Sequence, residues 1–332
     1  MKTRFYIIAV LALMIWMQAP AVRASGQDPF GPLHITGQTP LQTLRLDVVP
    51  ARPAVLQEGQ VEFSQFNTWT NRWNKTEHYI LDLEIIQNIF SASTGIGNNL
   101  EVGVSVPMLS RFGGKLDKFI SHFHDSFGLG QSDRDKFPEN NILVSYVDEA
   151  SGDTIIVLDK SKQGTIIGDI SLTSRWQAFL GDSWLKSVMV SGLLRFPTAS
   201  ERDFYGSGGI DVALSVSAVQ KLAPLYVYST VGFGRYGSRS IYDIDMRGHQ
   251  WTFFTAVEWA AKQNFSLIIQ GMANSGTTRR DNEFSQPTYE LVLGAKHRLF
   301  HGVLLEYGLM ENLFFFNNSN DFGINLGITV SR

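Results

Sequence analysis

From residue 61 onward the chain repeats one pattern, in which apolar side chains alternate with small or polar ones at period two. The C-terminal stretch shows it most clearly. Val303, Leu305, Tyr307 and Leu309 share one face of an extended segment, with Leu304, Glu306, Gly308 and Met310 on the other. Past a polar loop around residues 317–320, Phe322, Ile324, Leu326, Ile328 and Val330 alternate with Gly323, Asn325, Gly327, Thr329 and Ser331. Such alternation is what a strand needs when one face meets lipid and the other meets water.

The same period places the earlier strands. Residues 61–70 carry Val61, Phe63 and Trp69, with Phe66 out of phase. Tyr79, Leu81, Leu83 and Ile85 are expected to face outward and Asp82 and Glu84 inward; Leu100, Val102, Val104 and Val106 are expected outward around Glu101, Gly103 and Ser105. An unpaired carboxylate in the dry core of a sandwich would cost about 3 to 5 kcal/mol, whereas a hydrated lumen tolerates it. Ile170, Leu172 and Trp176 alternate with Asp169, Ser171, Thr173 and Arg175, and Val188, Val190, Leu194 and Phe196 with Ser187, Ser191 and Arg195. Further strands are predicted over residues 210–220, 225–235, 249–260, 264–273 and 287–298.

Connection lengths then fix an orientation. Residues 181–183, 221–224, 261–263 and 299–302 make short connections, whereas 198–209, 236–248 and 275–286 make long ones, in strict alternation. Outer-membrane barrels have short periplasmic turns and longer external loops. The fold expected is therefore all-β, an antiparallel up-and-down transmembrane β-barrel. Its count is 12 strands without a hairpin over residues 142–147 and 154–158, and 14 with it; the turn at Ser151 falls in phase with the short class and favours 14. Trp69, Tyr79, Trp176, Trp184, Trp251, Trp259, Tyr289 and Tyr307 lie toward strand ends or outward faces, as interfacial girdles require.

Two stretches depart from the pattern. In the insert over residues 108–140, Leu116, Phe119, Ile120, Phe123 and Phe127 recur at helical spacing ahead of Gly128, a C-cap. They predict one short amphipathic helix over residues 115–127, able to lie on an apolar surface or to constrict the lumen. Residues 25–60 hold Pro29, Pro32, Pro40, Pro50 and Pro53, which interrupt ladder pairing, and one alternating patch, Leu44, Leu46 and Val48. This segment reads as a periplasmic lead-in or a plug, with a poorly ordered tail as the alternative.

Composition adds the compartment. Lys2 and Arg4, an apolar run from residue 5 to 17, and the small residues Ala19, Ala21 and Ala24 predict a secretory signal peptide over residues 1–24, cleaved before Ser25. Its apolar core is short for a transmembrane helix. Loss of Lys2, Arg4 and Arg23 leaves 25 basic against 31 acidic residues, a net charge of −6, which argues against nucleic acid as a partner. The chain has no cysteine, so thiolate metal sites and cysteine nucleophiles are excluded. The expected location is the bacterial outer membrane, with membrane lipid, the barrel-assembly machinery and a small solute as partners, residues 61–332 forming the barrel, and no cofactor.

Candidate chemistry is weak by comparison. Gly232, Gly234 and Gly237 spell a dinucleotide fingerprint, but no helix follows to receive a pyrophosphate. His122, His124 and Asp125 invite a metal, yet i and i+2 do not share a helix face. His297 falls on an outward face without a well-placed serine for lipid hydrolysis. The inward charges carry more. Parity turns Asp82, Glu84, Glu101, Asp169, Asp211, Glu258, Glu290 and Glu306 inward with Arg175, Arg195, Lys296 and Arg298, a mixed and slightly acidic lumen. Two readings follow: a polar conduit that sorts solutes by charge, or a salt-bridged interior that closes the barrel.

The chain carries Phe30-Gly31-Pro32-Leu33, Gln38-Thr39-Pro40-Leu41, Val104-Ser105-Val106-Pro107, Phe123-His124-Asp125, Gly168-Asp169-Ile170, Phe196-Pro197-Thr198 and Gly206-Ser207-Gly208-Gly209-Ile210-Asp211. Together these phrases resemble an uncharacterised bacterial family, a domain of unknown function grouped with outer-membrane β-barrels. The resemblance implies a Gram-negative outer-membrane location and supplies no reaction. The function expected is a passive channel or transporter for small polar or amphipathic solutes. A structural or interaction barrel with a closed lumen is the first alternative, and a lipid-modifying enzyme the second.

Overall fold

The computed structural model describes residues 29–332 except 40, 78, 115–137, 139, 148–150, 201–204, 242–243, 280–282 and 312–321. In chain order the strands are β1 (Val61–Lys75), β2 (Tyr79–Gly97), β3 (Leu100–Phe112), β4 (Leu143–Val147), β5 (Thr154–Asp159), β6 (Gly164–Ile167), β7 (Ser171–Leu180), β8 (Leu185–Arg195), β9 (Asp211–Leu222), β10 (Leu225–Arg235), β11 (Ser240–Ile241), β12 (Ile244–Asp245), β13 (His249–Lys262), β14 (Phe265–Asn274), β15 (Thr288–Phe300), β16 (Val303–Glu311) and β17 (Phe322–Ser331). All principal pairings are antiparallel, and β17 closes on β1 from Glu62↔Ser331 to Asn71↔Phe322. The last strand, which carries the clearest alternation, is thus the one that seals the wall.

Closure takes 12 strands, in the order β1, β2, β3, β7, β8, β9, β10, β13, β14, β15, β16, β17. The expected 14 is corrected by register. β2 already pairs with β3 from Glu84↔Phe112 to Gly97↔Leu100, across a turn where Gly97, Asn98 and Asn99 all take positive φ. The β4–β5 hairpin pairs only with Tyr79 to Asp82 at the start of β2, and β6 only with Met108 to Arg111 near the end of β3. Those strands prolong the wall at the long-loop end and add nothing to its circumference. The insert that was expected to carry the amphipathic helix, with Leu116, Phe119, Ile120, Phe123 and Phe127, lies outside the described residues, as do His122, His124 and Asp125.

The two faces of the wall differ sharply. On β9, Val212, Leu214 and Val216 are each about half exposed while Asp211, Ala213, Ser215 and Ser217 are buried. Phe253, Leu293, Leu309 and Leu326 continue the exposed apolar belt around the barrel, and Trp176, Trp184 and Trp251 add exposed indoles to it. Such a belt is unfavourable in water and suited to lipid.

One strand runs in the opposite phase to expectation. Tyr79, Leu81, Leu83 and Ile85 of β2 face inward, in one cluster with Leu41 and Leu44 of the N-terminal segment. Asp82 and Glu84 consequently lie on the outer face, where Trp69 donates Nε1–H to Glu84 Oε1 at 2.7 Å. The physical reason is that the lumen is occupied at this level by apolar residues of the chain itself, so burial lies inward and not toward lipid.

Candidate functional site

The barrel interior is occupied by residues 29–39 and 41–56, which run up the lumen and back down. Strand direction gives the levels: β13 descends from the long loop at residues 236–248 to the short turn at 263–264, so Glu258 lies near the short-turn end, while Glu290 opens β15 beside a long loop. The segment meets Glu258 first. Phe30 N and Gly31 N donate to the two carboxylate oxygens at 2.9 and 3.1 Å, and Tyr228 Oη donates to Glu258 Oε2. One turn higher, Gln270 pairs with Leu33 through both functions, accepting from Leu33 N at 2.8 Å and donating to Leu33 O at 3.1 Å. A side-chain amide here substitutes for a neighbouring strand, which the proline-interrupted segment cannot provide for itself.

His34 is held on three sides. Its N–H donates to Glu306 Oε1 at 2.9 Å, its carbonyl accepts from Asn325 Nδ2 at 2.8 Å, and its ring stacks on Phe66 with centroids 3.9 Å apart. Phe66, out of phase for a lipid-facing strand, points inward for this contact. Higher still, Gln38 N donates to Glu290 Oε1 at 3.1 Å and Gln38 Nε2 to Gln87 Oε1 at 2.7 Å. Gln87 also accepts from Thr36 Oγ1 and donates to Tyr205 Oη.

A short 3-10 turn, Gln42–Leu44, reverses the segment at the long-loop end. Arg45 caps the turn: its guanidinium reaches Arg247 O at 3.0 Å and lies 4.3 Å above the Tyr236 ring. Asp47 ties the two limbs, accepting from Gly37 N at 3.1 Å and Gln42 Nε2 at 2.8 Å. The descending limb packs Leu46 and Val48 against Leu193, Ala213 and Tyr236. It passes Gly232 so closely that a Cβ there would sit 3.0 Å from Val48 Cβ. At the short-turn end Arg52 bridges Glu62 and Glu101, and Leu56 N donates to Glu101 Oε2 at 2.9 Å. Arg175 completes that cluster on Glu101 Oε1 at 2.7 Å.

The inward carboxylates therefore act mainly as acceptors for the inner segment's backbone. Glu101, Glu258, Glu290 and Glu306 each receive at least one of its N–H groups. Lys296 balances Glu306 at 3.0 Å, Arg298 covers the Phe30 ring, and Arg195 joins Asp211 and the carbonyl of Leu44. Asp169 staples the loop between β8 and β9, accepting from Ala199 N at 2.8 Å and Ser207 N at 2.7 Å. Asp82 and Glu84 stand apart from this set, on the outer face. Sequence reasoning missed Gln270, Asn325 and Tyr228, whose only signal was inward parity, and Gln87, which the expected phase of β2 turned outward.

Where the inner segment does not fill the lumen, a cavity of about 110 Å³ remains against β2, β3, β7 and β8. Ser91, Ser93, Ser105, Thr173 and Ser191 line it with hydroxyls, and Arg45, Arg175 and Arg195 face it. At that size it has room for ordered water beside the inner segment. Among the described residues no group of three histidine, aspartate or glutamate side chains could hold a metal ion, and β10 runs through Gly232 and Gly234 as a plain strand.

Among solved structures the chain is similar to the COG4313 outer membrane channel from Pseudomonas putida F1, at 13% identity over 86% of this chain and 100% of that one, with a TM-score of 0.56. It also matches the NanC porin at 10% identity over 81% of this chain and 98% of that one, with a TM-score of 0.45. The first likeness is one of fold. No curated protein matches the sequence. A family model described as a protein of unknown function (DUF3187) matches residues 7–331, nearly the whole chain, and the protein belongs to that family.

Proposed function

We propose that the protein is a gated outer-membrane channel for small polar or amphipathic solutes, with residues 29–60 as its plug. The observation that carries this reading is the way the plug is held. It is held by hydrogen bonds from wall side chains to its non-strand backbone, by apolar packing and by the Arg52 ion pairs, none of which is a barrel ladder bond, so it can leave without breaking the wall. The closed twelve-stranded ladder, by contrast, includes no strand of the plug. The exposed apolar belt and alternating loops support placement in the outer membrane after export, with lipid and the assembly machinery as partners. The nearly filled lumen favours one other reading, a closed barrel that serves structure or interaction.

Planar-bilayer conductance separates the two. The Val48→Cys, Gly232→Cys pair places two Cβ atoms 3.0 Å apart, about half an ångström inside the disulfide range, in a chain without other cysteines. The expected result is intermittent current from the native protein, none from the oxidised pair, and recovery on reduction. Steady current is expected after deletion of residues 29–56. Absence of current from a correctly assembled native barrel, the reduced pair and the deletion alike would overturn the channel reading and leave the closed barrel.

A further inference from the structure

Arg72 on β1 is 2% exposed and among the largest fully buried side chains of the protein. Its alternation with Thr68 and Thr70 turns it into the lumen. Yet Nε and both terminal nitrogens have no hydrogen-bond partner among the described residues. The other inward arginines differ: Arg175 pairs with Glu101, and Arg195 with Asp211. A buried guanidinium left without acceptors is among the least favourable arrangements a fold can contain, which points to an occupant.

Other unfilled polar atoms lie at the same end of the lumen. They are Thr70 Oγ1, Gln38 Oε1, Thr288 Oγ1 and Asn274 Nδ2. Gln38 relates them in space, since it binds Gln87 on β2 and Glu290 on β15 and so spans the arc on which β1, β17 and β16 lie between. Thr288 and Asn274 are register partners on the long-loop side of Glu290. Across from Thr70 the wall carries Gly323, where a side chain would collide with the Thr70 methyl 2.8 Å away. Leu83, the register partner of Arg72, supplies an apolar side.

We propose that Arg72 is the binding station for the carboxylate of a small monoanionic solute, at the long-loop mouth of the lumen. The planar guanidinium matches a carboxylate through two parallel N–H donors, and the threonine hydroxyls can add donors to the same oxygens. Charge selects a monoanion: one cation is available, Glu290 acts on it from nearby, and a second negative charge would have no second cation to offset its desolvation. This deepens the channel reading by naming a solute class and rests on it, but its test reads binding and not current.

The test is titration of the purified full chain in detergent with sodium propionate, its neutral isostere propionamide, and inorganic phosphate, followed by calorimetry and thermal unfolding. Propionate is expected to bind and to raise Tm with dose, and the other two are not. Arg72→Met should weaken propionate by about tenfold or more, while melting no lower than the native protein because an unpaired charge has been removed. Glu290→Gln takes away the opposing charge and should tighten propionate, which tests the site even if Arg72→Met does not fold. No propionate effect, an equal effect in Arg72→Met, unchanged affinity in Glu290→Gln, or a response to phosphate alone would overturn the proposal. Propionate binding without any channel current would sink the channel reading and leave the site standing.

Discussion

Glu258 offers the sharpest test of how the plug is held. Its Oε1 takes Phe30 N, and its Oε2 takes both Gly31 N and Tyr228 Oη, all in a fully buried setting. In Glu258→Gln one oxygen remains, so the amide keeps at best the two donors on one side. On the other side an NH2 group meets the Phe30 N–H, donor against donor. Losing one charge-assisted hydrogen bond under those conditions costs about 1.5 to 3 kcal/mol, which multiplies the undocked population by roughly 10 to 150. The barrel ladders are untouched by this change. Single-channel open probability, or the rate at which added protease cleaves residues 29–56, should rise by that factor while the heat-modifiable migration of the barrel stays the same. Tyr228→Phe should move both readouts much less, since the carboxylate keeps its two backbone donors. If Glu258→Gln lowers barrel stability and leaves plug release unchanged, the carboxylate serves the wall and the reasoning is wrong.

Three further outcomes follow from the same geometry. Glu306→Leu alone strands a buried Lys296 and should destabilise by about 3 to 5 kcal/mol, whereas Glu306→Leu with Lys296→Met should recover most of it, as a double-mutant cycle by denaturant unfolding will measure. Deleting the β4–β5 hairpin should leave a closed barrel that still migrates as folded, because β2 pairs directly with β3; failure to assemble would contradict twelve-strand closure. The pH dependence of plug docking is expected to be flat between about pH 4 and 6.5 because two plug residues, both outside the membrane-spanning strands, oppose each other. Enclosure in the lumen pushes Asp47 up to about 7, against the Gln42 hydrogen bond, so its stabilising effect is complete below the ordinary carboxylate range and is lost as pH rises through 7. Burial, then the charges of Arg175 and Lys296, push His34 down to about 3, so its effect is complete above its ordinary value of 6.5 and is lost as pH falls. Asp47→Asn should therefore make protease-probed docking weaken on acidification, and His34→Phe should make it weaken as pH rises; a flat profile in both variants would refute the assignment.

Period-two alternation along each strand made the barrel legible in the amino-acid sequence, because a strand places neighbours on opposite faces whatever its partners are. Alternating loop lengths were legible for a similar reason, being local properties of the connections. The inward position of Glu101, Glu258, Glu290 and Glu306 followed from parity alone. What those carboxylates bind did not, since the N–H groups they accept belong to a segment more than forty residues away in every case and over two hundred in three of them. Tertiary structure also decided the phase of β2 and the fate of the β4–β5 hairpin. Tyr79 to Ile85 read as lipid-facing, but an apolar face only seeks burial, and here the plug's Leu41 and Leu44 bury it from inside. The hairpin has the length and turn of a barrel pair, yet closure is set by which edges meet, and β2 met β3 first. Sequence determined the faces; the contents of the lumen determined which face was in.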